Sequence, residues 1–337
     1  MTTMSELPLN PLFHREEFRK LLSSWKQKKL AVCGHLRPDG DCIGSQVAFC
    51  RFLRSQGIEA VAVQADTIPR NLQDFIADTP FVREEDFDAT GWDAVTVDCA
   101  DALRIGKSLR EKLPTTLFNV DHHISNPGYA ENNLVVPNSC ATAEILAELF
   151  LSLGYEPDAT TANALYVGIA TDTGQFRFPS TSTRTFQICC HLCEFGAEPA
   201  KVATILYEKE SLGRMQLLES FLATLKLSIN GSVCTGCIRD GEYERTGTSN
   251  EDSEGFVDYA RAIDGVRIGV FLEEKQGKIK GSLRSKDPAY RVDTIAKLFN
   301  GGGHACAAGF HIDSTIEEFY PKLEEILKKH LQDIPKE

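Results

Sequence analysis

Leu30 to Gln64 reads LAVCGHLRPDGDCIGSQVAFCRFLRSQGIEAVAVQ, and this stretch decides the fold. LAVCG (Leu30–Gly34) is a short apolar run of strand character. Ile43–Gln56 carries apolar residues at helical spacing up to a stop at Gly57, and EAVAVQ (Glu59–Gln64) is strand again. Strand, helix and strand in that order point to a parallel pair with a right-handed crossover. Working outward, Glu16–Gln27 reads as an opening helix with Phe18, Leu21, Leu22 and Trp25 on one face. Ala94–Val97 and Leu117–Val120 are further short strands. Ala141–Leu153, ending at Gly154, and Ala159–Thr171 are helices. The first ~180 residues therefore read as an open α/β sheet.

The pattern then changes. Ser182–Leu227 is helical, with Gly196 and Gly213 as interruptions, and the charged YEKESLGR (Tyr207–Arg214) suits a connection between domains. Strands at Ser232–Ile238, Val266–Leu272 and Lys278–Leu283, with helices at Thr294–Phe299 and Ile316–Leu331, describe a smaller α+β domain. The expectation is an α/β protein with an N-terminal open parallel sheet in 1–195, a helical linker in 196–228 and a smaller α+β domain in 229–337. The active site is expected in the cleft between them.

Composition bounds the function. The chain has 337 residues, 42% hydrophobic and 25% charged, which suits about two ordinary globular domains. No apolar run approaches the ~18–20 residues that a membrane span needs. MTTMSELPLNPLFHREEF has Pro, Glu and Arg where a signal peptide needs an apolar core, so export is not expected. Eleven cysteines, an odd count scattered through apolar segments, suit reduced thiols in the cytoplasm better than a disulfide framework. A net charge of -12 argues against coating long duplex nucleic acid, yet it leaves room for a small phosphorylated ligand held locally.

Acidic and imidazole groups recur at the ends of the apolar elements. His35, Asp39 and Asp41 lie in HLRPDGD after the first strand, where Pro38 stiffens a loop and Gly40 and Gly44 are expected to permit tight turns. Asp98 ends VTVD, and Asp121-His122-His123 ends the fourth strand in NVDHHISNPG. Asp172 closes the helix that begins at Ala159. Ligands of open parallel sheets bind beyond the carboxyl ends of the strands. Converging there unpaired, these carboxylates would repel one another, whereas a pair of divalent cations removes the conflict. Oxygen and imidazole donors without thiolate suit Mn²⁺ or Mg²⁺ better than structural Zn²⁺.

Taken in order, His35-Leu-Arg-Pro-Asp39-Gly-Asp41, Asp98, Asp121-His122-His123 and Asp172 resemble the motifs of the DHH phosphoesterase superfamily. NGGGHACAAG (Asn300–Gly309) resembles the signature of its associated C-terminal domain. The two-domain length is most similar to the bacterial nanoRNase/pAp-phosphatase group, which cleaves very short oligoribonucleotides and 3′-phosphoadenosine 5′-phosphate. The resemblance implies one metal held by His35, Asp39 and Asp98, and a second held by Asp41, Asp98, His122 and Asp172, with Asp98 bridging. It implies that Asp121 orients its neighbours and that His123 faces the substrate phosphate. His123 and Asp98 are thus the expected catalytic residues. Mn²⁺ is the preferred cation, with Mg²⁺ an alternative.

Gly301, Gly302 and Gly303 would let the backbone approach an anion, with His304 and Arg284 adding charge-assisted hydrogen bonds; the bland alternative is a helix C-cap and tight turn. Arg104 is a weaker substrate-binding candidate, because it can instead pair with Asp101. The expected partners are short single-stranded oligoribonucleotides or nucleotides, with no membrane; a dimer is compatible with the sequence. Rival readings are a cyclic or linear dinucleotide phosphodiesterase, an exopolyphosphatase, and a nucleotide sensor without turnover. Cys234-Thr-Gly-Cys237 with Cys189, Cys190 and Cys193 reads as thiols rather than a zinc site. No GxGxxG or P-loop run occurs. His14, His191, His311 and His330 read as structural or surface residues.

Overall fold

The computed structural model describes residues 15–332. His14 and the N-terminal stretch read above as lacking a signal peptide lie outside them. The chain divides into two compact units, residues 1–209 and 210–337. The helices between 196 and 228 are shared out: Pro199–Tyr207 belongs to the first unit and Leu212–Ala223 to the second. Among the described residues no helix is long and apolar enough to cross a membrane.

The first unit is built on six parallel strands, β1 (Lys29–Cys33), β2 (Glu59–Gln64), β3 (Phe81–Arg83), β4 (Trp92–Val97), β5 (Thr116–Asp121) and β6 (Asn132–Val135), in the order β3-β2-β1-β4-β5-β6. A parallel sheet covered on both faces needs continuous apolar strands. Leu30, Ala31, Val32 and Cys33 of β1 are accordingly all buried. Edge strands β3 and β6 were not expected. They are short and only partly buried, so neither carries a strong apolar signal. The strand order reverses between β1 and β4, and ligands of open parallel sheets bind at such a switch point.

The Gly40–Ser55 helix begins earlier than the sequence pattern suggested. Asp39 is its N-cap, accepting the Cys42 N–H at 3.0 Å, and Asp41 lies in its first turn rather than in a loop. Gly40 and Gly44 therefore do not form turns, as expected above; they are helical, and their use is close packing. A Cβ at Gly44 would overlap the Ala164 carbonyl oxygen, and one at Gly40 the Thr171 side chain. A Cβ at Gly168 would overlap the Ala143 side chain. These three glycines let the Gly40–Ser55 and Ala159–Asp172 helices approach closely. Aromatic packing completes the core on this side, with Phe52 stacked on Phe150 at 4.2 Å and Phe18 against Phe118 at 5.3 Å.

The second unit has a mixed sheet, β7 (Lys226–Ser228), β8 (Val233–Ile238), β9 (Ile268–Lys275), β10 (Lys278–Ser285), β11 (Gly302–His304) and β12 (Ala307–Asp313), in the order β11-β12-β10-β9-β8-β7. Its helices include Val292–Lys297 and Ile316–Gln332, and Phe299, Phe310, Phe319, Leu323 and Leu327 form the core. The closing helix is amphipathic, with Ile316, Phe319, Leu323 and Leu327 on its buried face. Gly213 lies inside the Leu212–Ala223 helix, so the helical break falls at Glu208–Ser211 instead.

Gly44→Ala is expected to destabilise the first unit by about 1–3 kcal/mol, as overpacking does where backbone is the obstacle. Urea denaturation against the parent chain measures it; equal stability of Gly44→Ala and the parent chain would contradict the close-packing role.

Candidate metal centre

Each donor is placed by the end of an element. His35 follows β1 and is 4% exposed. Its Nδ1 lies 2.8 Å from the Leu36 carbonyl oxygen, to which it donates, so Nε2 is the ring nitrogen turned toward the carboxylates. That Nε2 is 3.2 Å from Asp98 Oδ2 and 3.7 Å from Asp39 Oδ1. His122, after β5, is oriented in the same way: Nδ1 lies 3.3 Å from the Ser139 carbonyl oxygen, and Nε2 lies 3.5 Å from Asp98 Oδ1 and 3.2 Å from Asp172 Oδ2. Two donors coordinated at ~2.1 Å and near right angles to one ion stand about 3 Å apart. The spacings fit that requirement. The two oxygens of Asp98 thus face different donor groups, one toward His35 and Asp39, the other toward His122.

Three sets of potential ligands emerge with atoms within 4.8 Å of each other: His35, Asp39 and Asp98; Asp41, His122 and Asp172; and Asp98, His122 and His123. No cysteine joins a set among the described residues, and all eleven thiols are free. Cys190 and Cys193 are exposed, on the outer side of the Thr183–Glu194 helix, whereas Ile188, Cys189 and Leu192 face inward. His191 does have an acidic neighbour, Glu194 at 2.9 Å, but it is a single surface pair.

The electrostatics single out the same groups. Burial first, then Asp98 and Asp39, pushes Asp172 up from 3.8 to about 8. Burial, with Asp98, Asp172 and Asp39, raises Asp41 well above the carboxylate range, although its oxygens accept the Thr142 N–H at 2.7 Å and the Ala143 N–H at 2.8 Å. For His35, burial opposes the charged ring, but hydrogen bonds to Asp39 and Asp98 outweigh it and raise the pKa. So many carboxylates in a dry crevice are unfavourable unless cations share it. The residues fit a divalent pair in both donor chemistry and spacing.

A second layer supports the donors, and most of it escaped the sequence reading. Asp121 is fully buried; Oδ1 accepts from His123 Nδ1 at 2.7 Å and Oδ2 from Asn126 Nδ2 at 2.6 Å. The bond to Asp121 raises the His123 pKa, while nearby Arg104 opposes that shift. With Nδ1 committed, Nε2 is the ring nitrogen left for a ligand. Gln64 donates to the His35 carbonyl oxygen at 2.7 Å, and Thr142 Oγ1 to Asp98 Oδ1 at 3.2 Å. Glu144 is buried and accepts from Ser139 Oγ, the Cys140 N–H and Thr185 Oγ1, which fixes the carbonyl that holds His122. Asp98 itself has φ of +56°, a left-handed conformation that Asp tolerates better than most residues.

In the second unit the register gathers the other candidates. Arg284 of β10 and His304 of β11 both pair with Ala307 of β12, so they share one cross-strand row, beside Gly302 and Gly303. The side chain of His304 lies outside the described residues. The glycines divide by role. A Cβ at Gly301 would overlap the Gly309 carbonyl oxygen, and one at Gly303, where φ is +147°, the Ala307 carbonyl oxygen. Gly302 has nothing within 4 Å of that position, so no packing inside the chain explains it. The helix cap belongs to Asn300, at φ of +56°, with the Gly301 N–H donating to the Ala296 carbonyl oxygen at 2.9 Å. Arg104 does not pair with Asp101, which instead accepts the Leu103 N–H at 2.8 Å.

Comparison with known proteins places this geometry. The DHH family, N-terminal domain, matches residues 29–169, and the DHHA1 domain matches residues 230–333. The bifunctional oligoribonuclease and PAP phosphatase NrnA of Thermus thermophilus is 29% identical over 301 residues, covering 89% of each chain. The crystal structure of an exopolyphosphatase-related protein from Bacteroides fragilis superposes with a TM-score of 0.84 at 24% identity, over 96% of this chain and all of that one. RecJ from Thermus thermophilus, in complex with Mn²⁺, superposes with a TM-score of 0.56 at 17% identity, over 99% of this chain and 57% of its own. The two structural likenesses are likenesses of fold.

The raised pKa of Asp172 carries a linkage. Native Asp172 holds its proton up to about 8, the unfolded residue only to 3.8, so the metal-free protein loses stability as pH rises through that window. Cations that neutralise the cluster remove the penalty. Mn²⁺ should therefore raise Tm more at about pH 8.5 than at about pH 5.5, by scanning fluorimetry; equal shifts at both would count against the coupling.

Proposed function

The chain belongs to the DHH family, and from that premise we propose that it is a phosphoesterase dependent on two divalent cations, hydrolysing short oligoribonucleotides and 3′-phosphoadenosine 5′-phosphate. The observation that carries this reading is Asp98, whose two carboxylate oxygens face two different histidines across 3.2 Å and 3.5 Å. His35, Asp39 and Asp98 would hold one cation, and Asp41, Asp98, His122 and Asp172 the other. Imidazole among the donors favours Mn²⁺ over Mg²⁺. The name of the Thermus thermophilus relative, over 89% of each chain, supports the substrate class.

When bound, the cations supply a nucleophile by lowering the pKa of water and draw charge from the phosphate. The rest is the work of this chain. Nδ1 hydrogen bonds of His35 and His122 to the Leu36 and Ser139 carbonyls aim the Nε2 atoms inward before any ligand arrives. Asp121 orients His123 and favours its charged form, so Nε2–H can donate to a non-bridging phosphate oxygen as negative charge grows there. Catalysis of this kind is positioning and electrostatics more than covalent chemistry. Arg284, Gly302 and the His304 backbone are proposed to hold a further phosphate or nucleotide. Restricting contacts to a few such groups suits short substrates on a protein of charge -12.

A panel with Mn²⁺ tests the reading: a labelled RNA dinucleotide and 24-mer, 3′-phosphoadenosine 5′-phosphate, cyclic di-AMP, pyrophosphate and polyphosphate. The expected result is rapid hydrolysis of the dinucleotide and the bisphosphate, with little on the 24-mer. Preference for polyphosphate or cyclic di-AMP would overturn the substrate assignment, and no turnover would overturn the enzyme. Asp98→Asn should lower kcat by more than about 100-fold, and Asn126→Ala, acting through Asp121 and His123, by about 10–100-fold, both with unchanged circular dichroism.

A further inference from the structure

The metal centre leaves two guanidinium groups uncommitted. Arg37 and Arg104 line one pocket of about 280 Å³ together with Leu36, Leu103 and Asp101. Among the described residues neither guanidinium has an ion pair or a hydrogen bond, and Asp101 turns Oδ1 to the Leu103 N–H rather than to either of them. Leu103 is 71% exposed and Leu36 37%, so two apolar side chains stand in water beside two free cations.

The pocket is built rather than incidental. The Leu36 N–H donates to the Arg104 carbonyl oxygen at 2.7 Å, which joins the loop after β1 to the loop after β4. Gly106, at φ of +96°, leaves the Leu36 side chain its place: a Cβ there would stand 3.3 Å from Leu36 Cδ2. Arg37 itself has φ of +56°, a left-handed conformation unfavourable for a long side chain, and its N–H is held by Asp66 Oδ2 at 2.7 Å. Backbone strain fixed in this way concentrates at ligand sites. Both arms also adjoin the metal centre, since Leu36 follows His35 directly and the charge of Arg104 reaches His123.

We propose that this pocket is a nucleotide subsite, in which Arg37 and Arg104 bind a second phosphate of the substrate while Leu36 and Leu103 pack against its base. The proposal rests on the phosphoesterase reading above. A guanidinium presents a planar fork that matches phosphate oxygens, and two of them supply charge that the acidic cluster nearby cannot. The apolar face of a base covers leucines otherwise left in water. The volume is near the ~300 Å³ lower end of ligand pockets, which fits one nucleotide at a chain end rather than a run of them.

Steady-state kinetics with Mn²⁺ on diadenylate carrying a 5′-phosphate, a 3′-phosphate or neither, with bis(p-nitrophenyl) phosphate as a diester lacking both base and second phosphate, tests the subsite. The parent enzyme is expected to prefer one phosphorylated dinucleotide. Arg37→Ala should raise KM for that substrate at least about 10-fold with kcat retained, Arg37→Lys should recover part of it, and the generic diester should be unaffected. Leu103→Ala should raise KM for all three dinucleotides alike. Equal losses on the dinucleotide and the generic diester, or a preference that survives Arg37→Ala, would overturn the subsite while leaving the phosphoesterase intact. A parent enzyme that hydrolyses the generic diester and no dinucleotide would remove the nucleotide reading and the subsite with it.

Discussion

Asp41 is buried with both carboxylate oxygens bonded to backbone, Oδ2 to the Thr142 N–H and Oδ1 to the Ala143 N–H. That contact holds the first unit together around its chemistry. The Thr142–Ser152 helix starts at Ala141, which has no side chain able to cap it, so a carboxylate from another helix performs the capping. Asp41 can reach there only because Gly44 and Gly168 allow two helices to lie against each other. A residue proposed as a metal donor is thereby also a structural cap. Its place is set before a cation binds, at the cost of a raised pKa that the cation relieves.

The same economy runs through the second layer. His35 and His122 each have Nδ1 fixed by a carbonyl, and further bonds hold the backbone there: Gln64 donates to the carbonyl oxygen of His35 itself, and Glu144 acts through Ser139 behind His122. Asn126 serves Asp121 and also bonds Asn119 and the Cys99 carbonyl, tying the loop after β5 to the end of β4. The donors therefore sit in a rigid frame of backbone acceptors, which is what a preorganised electrostatic site requires. The uncommitted groups stand out against this frame. Arg37, Arg104 and Gly302 are three that packing among the described residues leaves unexplained.

Much of the parallel sheet was legible because its strands are buried on both faces and carry unbroken apolar runs, as LAVC and EAVAVQ do. The edge strands β3 and β6 were not, since half-exposed runs of three and four residues look like loop. In the second unit β12 was hidden in AAGFHID, where Ala and Gly lower strand propensity and its antiparallel partners β10 and β11 specify it. Gly40 and Gly44 were misjudged as turn formers. A glycine's sequence context shows that something needs the space, but not whether backbone conformation or a neighbouring helix takes it.

By itself the sequence determined the fold class and singled out the candidate metal donors. Apolar periodicity is local, and carboxylates and imidazoles that end successive strands of a parallel sheet must emerge on one edge. Only the tertiary structure decided which oxygen of Asp98 faces which histidine, that Asp41 caps a helix about a hundred residues away in the chain, and that Glu144 and Asn126 stand behind the donors. Those facts depend on how far apart elements lie in space. Nothing in the residue order records that distance until glycines, caps and apolar packing have fixed it.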